Sequence, residues 1–142
     1  MLIITYPKTQ LETDEYYHLR WKILREPWGQ PLGSEKDDME NKSKHFIAVI
    51  NKVIVAVSRL HLEDSIAFIR YMAVDTPYQK QGIGKKLLNH VENVAKQMDT
   101  TTIRLNARED YLGFYLKNGY FDCGAGHTLY NTIKHRKMSK HL

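Results

Sequence analysis

The chain has 142 residues, of which 42% are hydrophobic and 26% charged, with a formal net charge of +5 and a single cysteine. This length suits one domain, expected to span 1–142 with one sizeable core, and leaves no room for two ordinary domains. One cysteine excludes an intrachain disulfide and a cysteine-based zinc site, and no apolar stretch approaches the ~20 residues that span a bilayer.

Leu2 to Tyr6 reads as a short strand stopped by Pro7. This apolar start is too short for a secretory leader and runs directly into Lys8-Thr9-Gln10, so the expected location is the cytoplasm. Thr13, followed by Asp14 and Glu15, predicts a helix start, and Tyr16, Leu19, Ile23 and Leu24 recur at helical spacing until Pro27. Residues 27–43 are punctuated by Pro27, Gly29, Pro31 and Gly33 and form the least regular stretch, with a short helical turn expected after Ser34. His45–Ile50, Val53–Leu62 and Ile66–Val74 read as three strands, joined by Asn51-Lys52 and by Glu63-Asp64-Ser65, and such short connections make antiparallel pairs.

From Gly82 the period changes. Ile83, Leu87, Leu88, Val91, Val94 and Met98 share one helical stripe, with Lys85, Lys86, Asn89, Glu92 and Lys96 opposite. Thr101–Ala107 returns to strand character, and a strand–helix–strand crossover of this length predicts parallel, adjacent strands. Tyr111–Lys117 reads as a helix stopped by Asn118-Gly119. Tyr120–Cys123 and His127–Ile133 read as a final strand pair turning at Gly124-Ala125-Gly126, followed by a basic, frayed tail at 134–142. The sum is an α/β (α+β) fold: one mixed, mostly antiparallel twisted sheet of about seven strands with about four helices.

Gly82 and Gly84 open the long helix just after the strand ending Ala73-Val74-Asp75. A helix N-terminus offers unpaired N–H groups and partial positive charge, and glycine lets a phosphate approach the backbone, so the loop suits a pyrophosphate. Lys80, Lys85 and Lys86 add charge. A lone G-x-G is more often a structural turn, and neither a Walker loop nor a dinucleotide-binding fingerprint is present.

The run Met72-Ala73-Val74-Asp75, then Gln79-Lys80-Gln81-Gly82-Ile83-Gly84-Lys85-Lys86-Leu87-Leu88, resembles the acyl-CoA motif of the GNAT superfamily of N-acetyltransferases. Phe114-Tyr115-Leu116-Lys117-Asn118-Gly119-Tyr120 is similar to that superfamily's C-terminal motif. The resemblance implies a GNAT-like sheet with splayed central parallel strands and acetyl-CoA (coenzyme A) as cofactor. It implies backbone contacts from Met72, Ala73 and Val74, with the Val74 N–H facing the thioester oxygen, and a pyrophosphate cradle from Gln79, Lys80, Gln81, Gly82, Ile83, Gly84 and Lys85. It also places Asn106, Tyr111 and Phe114 along the cofactor. Tyr115 matches the family's general acid, a neutral phenol able to protonate the leaving thiolate; its plainer reading is a core tyrosine.

The glutamate base of histone-acetylating members is replaced by Phe68, which leaves Tyr71, His45, Glu35 or a water chain as alternatives. Trp28, Gln30, Glu35 and Tyr71 are candidate acceptor contacts, although Trp28 also reads as a packing anchor and Glu35 as a helix-start charge. The seven histidines are scattered without metal-ligand spacing, so no metal is expected, and Cys123 reads as a small hydrophobe. The expected function is transfer of an acetyl group to a primary amine on a small molecule or peptide, with no nucleic acid or membrane partner and a homodimer left open. The alternative is a non-catalytic acyl-CoA-binding sensor or partner-binding domain of the same fold, which would not need a positioned acid at Tyr115.

Overall fold

The computed structural model describes residues 1–142. Seven strands form one sheet: β1 (Leu2–Thr5), β2 (Lys44–Ile50), β3 (Val53–Glu63), β4 (Ile66–Val74), β5 (Thr102–Arg108), β6 (Phe121–Leu129) and β7 (Ile133–His141). Their spatial order is β1-β2-β3-β4-β5-β7-β6. Only β4 and β5 run parallel. The helix between them supplies the crossover that a parallel pair requires.

Three α-helices accompany the sheet: α1 (Gln10–Leu24), α2 (Ile83–Gln97) and α3 (Leu112–Lys117). The expectation of about four is therefore corrected. Residues 27–43 make turns and two short 3-10 segments, because their acidic groups and carbonyls are drawn inward by arginines and no apolar stripe holds a helix. The start of α1 is also corrected. Thr9, not Thr13, caps it, and Thr9 and Glu12 form a reciprocal capping box. No helix is long and apolar enough to cross a membrane.

The two faces of the sheet carry separate cores. Leu87, Leu88 and Val91 of α2 and Tyr115 of α3 pack with Ala67, Ile69, Ile103, Leu105 and Ala107 on one face. Tyr16, Leu19 and Leu24 of α1 pack with Ile47, Ile54, Val57 and Ala73 on the other. The buried stripe of α1 also includes Arg20, which is fully buried.

The C-terminal third differs most from expectation. The chain turns at Tyr130 and Asn131, which both adopt positive φ (52° and 56°), and not at the glycines. Gly124 and Gly126 lie inside β6, where the register shifts against β7. A side chain at Gly126 would meet the His135 carbonyl oxygen at 3.2 Å, so this glycine marks a close approach of two strands. The 134–142 stretch is not a frayed tail, because β7 sits inside the sheet between β5 and β6. Its charges find partners: Lys140 bonds to Glu92 and the Asn118 carbonyl, and Arg136 pairs with Asp122.

Candidate active site

β4 and β5 pair from Ile66↔Thr102 to Ile69↔Leu105 and then part, although β4 continues to Val74 and β5 to Arg108. A bulge in β4 lies beside the parting. Between the Val57↔Ala73 and Arg59↔Arg70 partners, the single residue Ser58 faces both Tyr71 and Met72. Tyr71 takes a left-handed backbone (φ 55°), which costs a bulky residue about 1–2 kcal/mol. Its ring is held by the Arg20 guanidinium, 3.8 Å from the ring centre, and its hydroxyl donates to Asp37 at 3.3 Å.

Beyond the bulge, strand alternation decides which backbone groups face the gap. The Asp75 N–H donates to the Val55 carbonyl across the β3 ladder. Ala73, two residues back, therefore also turns toward β3, while Met72 and Val74 turn away from it, toward the parting. Of the three residues expected to offer backbone groups, Met72 and Val74 are the two directed into the gap.

The loop that follows is tied to the same strand. The Gln79 side chain donates to the Val74 carbonyl at 2.9 Å, and the Gln79 N–H is taken by Thr76, so Gln79 anchors the loop. Lys80 and Gly82 adopt positive φ (63° and 81°). The N–H groups of Lys80, Gln81, Gly82, Ile83, Gly84 and Lys85 have no partner within the protein. A side chain at Gly82 would meet nothing, so its glycine serves the backbone conformation. A methyl at Gly84 would meet Phe114 at 3.4 Å and Val74 at 3.6 Å, which sets Phe114 beside the loop.

A cavity of about 400 Å³ occupies the parting. It passes through the sheet. On the α2 face it reaches Tyr115, buried against Phe114 and Tyr120, whose hydroxyl makes no hydrogen bond within the protein. Burial pushes this phenol well above the ordinary tyrosine value, so it holds its proton at neutral pH. Met72, Asn106 and Tyr111 also line the cavity. A larger cavity of about 650 Å³ lies between β1, α1 and the far half of α2. It touches neither the glycine loop nor the parted strands, and its buried phenol, Tyr16, is already hydrogen-bonded to His45 and Arg20.

On the α1 face, beneath the cavity, a buried polar network fixes the wall. Arg20 donates to the Glu35 carbonyl, Glu40 and the Tyr16 hydroxyl, and Arg59 donates to Asp37 (2.6 Å) and Glu40 (2.7 Å). Burial would raise the Asp37 carboxyl, but hydrogen bonds from Arg59 and the Met39 N–H outweigh it and hold it at about 2. Two candidate bases are taken up by this framework. His45 uses one ring nitrogen on Tyr16 and the other on the Glu40 carbonyl. The buried Glu35 carboxylate accepts the Gly33 N–H. Neither lines the cavity, and neither do Trp28 and Gln30. Gln30 closes its own turn by donating to Trp28, and its carbonyl accepts the Trp21 indole. Tyr71 alone of the four suggested acceptor contacts reaches the cavity.

Several cavity residues escaped sequence reasoning. Arg25, Arg70 and Arg108 line it, as do His127 and His135, whose rings stack 4.1 Å apart. Burial chiefly holds both imidazoles below the ordinary histidine value; Arg70 and Arg25 add to it at His127, and His127 itself and then Arg108 add to it at His135. His135 Nδ1 donates to the His127 carbonyl at 3.1 Å, which leaves Nε2 as the lone-pair nitrogen. A strand-position charge at Arg70, flanked by apolar residues, was the one available sequence signal.

Residues 13–120 match the Acetyltransferase (GNAT) family. The chain is 23% identical over 133 residues to the "Uncharacterized N-acetyltransferase YjcF" of Bacillus subtilis (strain 168), covering 94% of this chain and 95% of that one. A solved structure from Lactobacillus plantarum superposes with a TM-score of 0.85 at 20% identity, over 99% of this chain and 98% of that one. The structure of an aminoglycoside 6'-N-acetyltransferase complexed with coenzyme A superposes with a TM-score of 0.82 at 18% identity, over 98% and 96%.

Proposed function

The chain belongs to the GNAT acetyltransferase family and is an acyl-CoA-dependent acetyltransferase, and on that premise we propose that it acetylates a primary amine held in the cavity on the α1 side of the parted strands. The single observation that carries the reading is Tyr115: a buried side chain at the wall of the cavity that the parted strands create, with a hydroxyl free of any protein partner.

The residues fit acetyl-CoA. Six consecutive unpartnered N–H groups and the open space over Gly82 suit a pyrophosphate, and Met72 and Val74 present backbone groups in strand geometry. When bound, acetyl-CoA supplies a thioester carbonyl for the amine to attack and a sulfur that leaves. A ligand anchored at the loop reaches Val74 before Met72, so the Met72 N–H is the better donor for the thioester oxygen, where negative charge develops. The Val74 N–H, the donor expected from the sequence, on this reading suits an amide nearer the loop. Tyr115 holds a proton on its phenol oxygen and gives it to the departing sulfur. His135 Nε2 takes the proton released by the amine, and the neighbouring guanidiniums disfavour the ammonium form of that amine from the outset.

The test pairs binding with turnover. Acetyl-CoA raises the melting temperature of wild type and of Tyr115→Phe alike, while thiol release with an amine acceptor falls about a hundredfold or more in the variant. No thermal shift with either CoA or acetyl-CoA sinks the cofactor reading. Full turnover by Tyr115→Phe removes the tyrosine from the chemistry. A CoA-binding protein inert toward every amine would be the non-catalytic module.

A further inference from the structure

We infer that the acceptor amine carries an anionic group, a carboxylate or a phosphate, bound by Arg25, Arg70 and Arg108 on the α1 face of the cavity. The inference rests on the acetyltransferase reading and names the acceptor class it leaves open.

The three arginines converge from three elements. Arg25 follows the last turn of α1, Arg70 lies in β4 and Arg108 ends β5. All three line the cavity that Tyr115 reaches from the other face. None is in an ion pair. The Arg70 side chain makes no hydrogen bond to any protein atom. Arg25 spends Nε on the Ser34 carbonyl and Nη1 on the Leu24 carbonyl, and Arg108 spends Nη2 on that same Leu24 carbonyl. A guanidinium has five N–H donors, so most of this donor capacity at the cavity wall is without a protein partner. The acids nearest to Arg70 and Arg108, Glu63 and Asp110, are not close enough to pair. The cavity's own acid, Asp37, is already bound by Arg59 and receives the Tyr71 hydroxyl.

The three arginines are half-buried, and holding unpaired guanidiniums partly out of water is costly unless an anion completes the site. Burial lowers the affinity of Arg70 and Arg108 for their protons, and the cationic neighbours Arg59 and Arg25 lower it further. Nothing in the folding of the sheet calls for three such charges side by side. Fully exposed arginines would be solvated at less cost.

These cations also stand apart from the phosphate loop. Ile69 and Ala107 belong to the core under α2, so their strand neighbours Arg70 and Arg108 point to the opposite face. The glycine loop opens α2 itself. The two positive regions therefore lie on opposite faces of the sheet, and a cofactor phosphate at the loop leaves the arginine triad free. A polycationic acceptor such as an aminoglycoside or a polyamine would be repelled there.

Matched acceptors test the idea: phosphoethanolamine against ethanolamine, glucosamine 6-phosphate against glucosamine, and glutamate against its diamide. The members of each pair present the same amine and differ in the anion, and comparing pairs separates phosphate from carboxylate. The expected result is a preference of about tenfold to a hundredfold in kcat/KM for the charged member of at least one pair. Arg70→Gln and Arg108→Gln should erase it by raising KM for that member about tenfold, with a smaller change for the neutral member and the affinity for CoA retained. With CoA saturating, the preferred anionic amine should also raise the melting temperature of wild type but not of Arg70→Gln, which reads the site without turnover. Equal turnover of charged and neutral members, or no thermal shift by any anionic amine, overturns the inference while the acetyltransferase reading stands. Loss of CoA affinity in the arginine variants also overturns it, because the triad would then hold the cofactor. Failure of acetyl-CoA to bind wild type would instead sink the parent reading.

Discussion

Glu40 is the junction of the wall that carries Asp37 and Tyr71, and its removal has a cost that the geometry sets. Its Oε2 accepts from Arg20, from Arg59 at 2.7 Å and from the Asp37 N–H at 3.0 Å, and its Oε1 accepts from the Tyr17 hydroxyl at 3.2 Å. The side chains of Arg20 and Arg59 are 0% and 1% exposed. Glu40→Ala therefore leaves two buried guanidiniums, formerly sharing one oxygen, facing each other. At ~5 Å and an effective dielectric of about 20, their repulsion is about 3 kcal/mol. Breaking a buried ion pair from one side typically costs about 3–5 kcal/mol. Asp37 still serves Arg59, which favours the lower end. The expected loss is about 3 kcal/mol, read as a lower urea midpoint at unchanged slope and a melting temperature about 10 °C lower. Glu40→Gln keeps the shape and one acceptor oxygen and should lose less. A loss below about 1 kcal/mol for the alanine variant, against the typical cost of a broken buried pair, would refute the reasoning, since the guanidiniums would then have water or each other's displacement to relieve them.

The two loop glycines should respond differently. Gly82→Ala places a side chain at φ 81° and should cost about 1–2 kcal/mol while weakening CoA binding, whereas Gly84→Ala meets only ordinary contacts in the first turn of a helix and should be neutral to stabilising; equal losses in calorimetry would contradict this. Stability should also fall on acidification. His45, His61, His127 and His135 are all held below the ordinary histidine value, chiefly by burial. Their folded values lie below the unfolded one, so the unfolded chain binds more protons. The stability present above about pH 6.5 is therefore lost as the pH drops through the folded values. Asp37 and Glu40, held down by their arginines, add a second loss below about pH 4. A melting temperature that stays level from pH 7.5 to 5 would speak against the histidine contribution. Finally, His135→Asn should lower kcat for an amine acceptor while leaving CoA affinity intact, and unchanged kcat would free His135 from the proton role.

Local physics made much of the molecule readable before its fold. The Asn51-Lys52 turn, the 66–74 strand and the 83–97 helix follow from positive-φ tolerance, apolar β-branched runs and a clean helical stripe, all short-range properties of the chain. The glycine loop and Tyr115 were legible for the same reason, since each sits in a continuous run whose order carries its chemistry. The C-terminal hairpin was not. Glycines between two strand-like runs look the same whether they turn the chain or let two backbones pass closely, and only the His135 carbonyl beside Gly126 distinguishes the two. The arginine-lined wall of the cavity was equally hidden. Arg25, Arg70, Arg108 and His135 are scattered over more than a hundred positions and become neighbours only because β4 and β5 part after Ile69 and Leu105. The sequence by itself determined where the glycine loop opens α2 and that Tyr115 lies on the short helix beyond β5. The tertiary structure decided what faces them through the sheet, because convergence of distant charges is a property of packing and leaves no periodic trace along the chain.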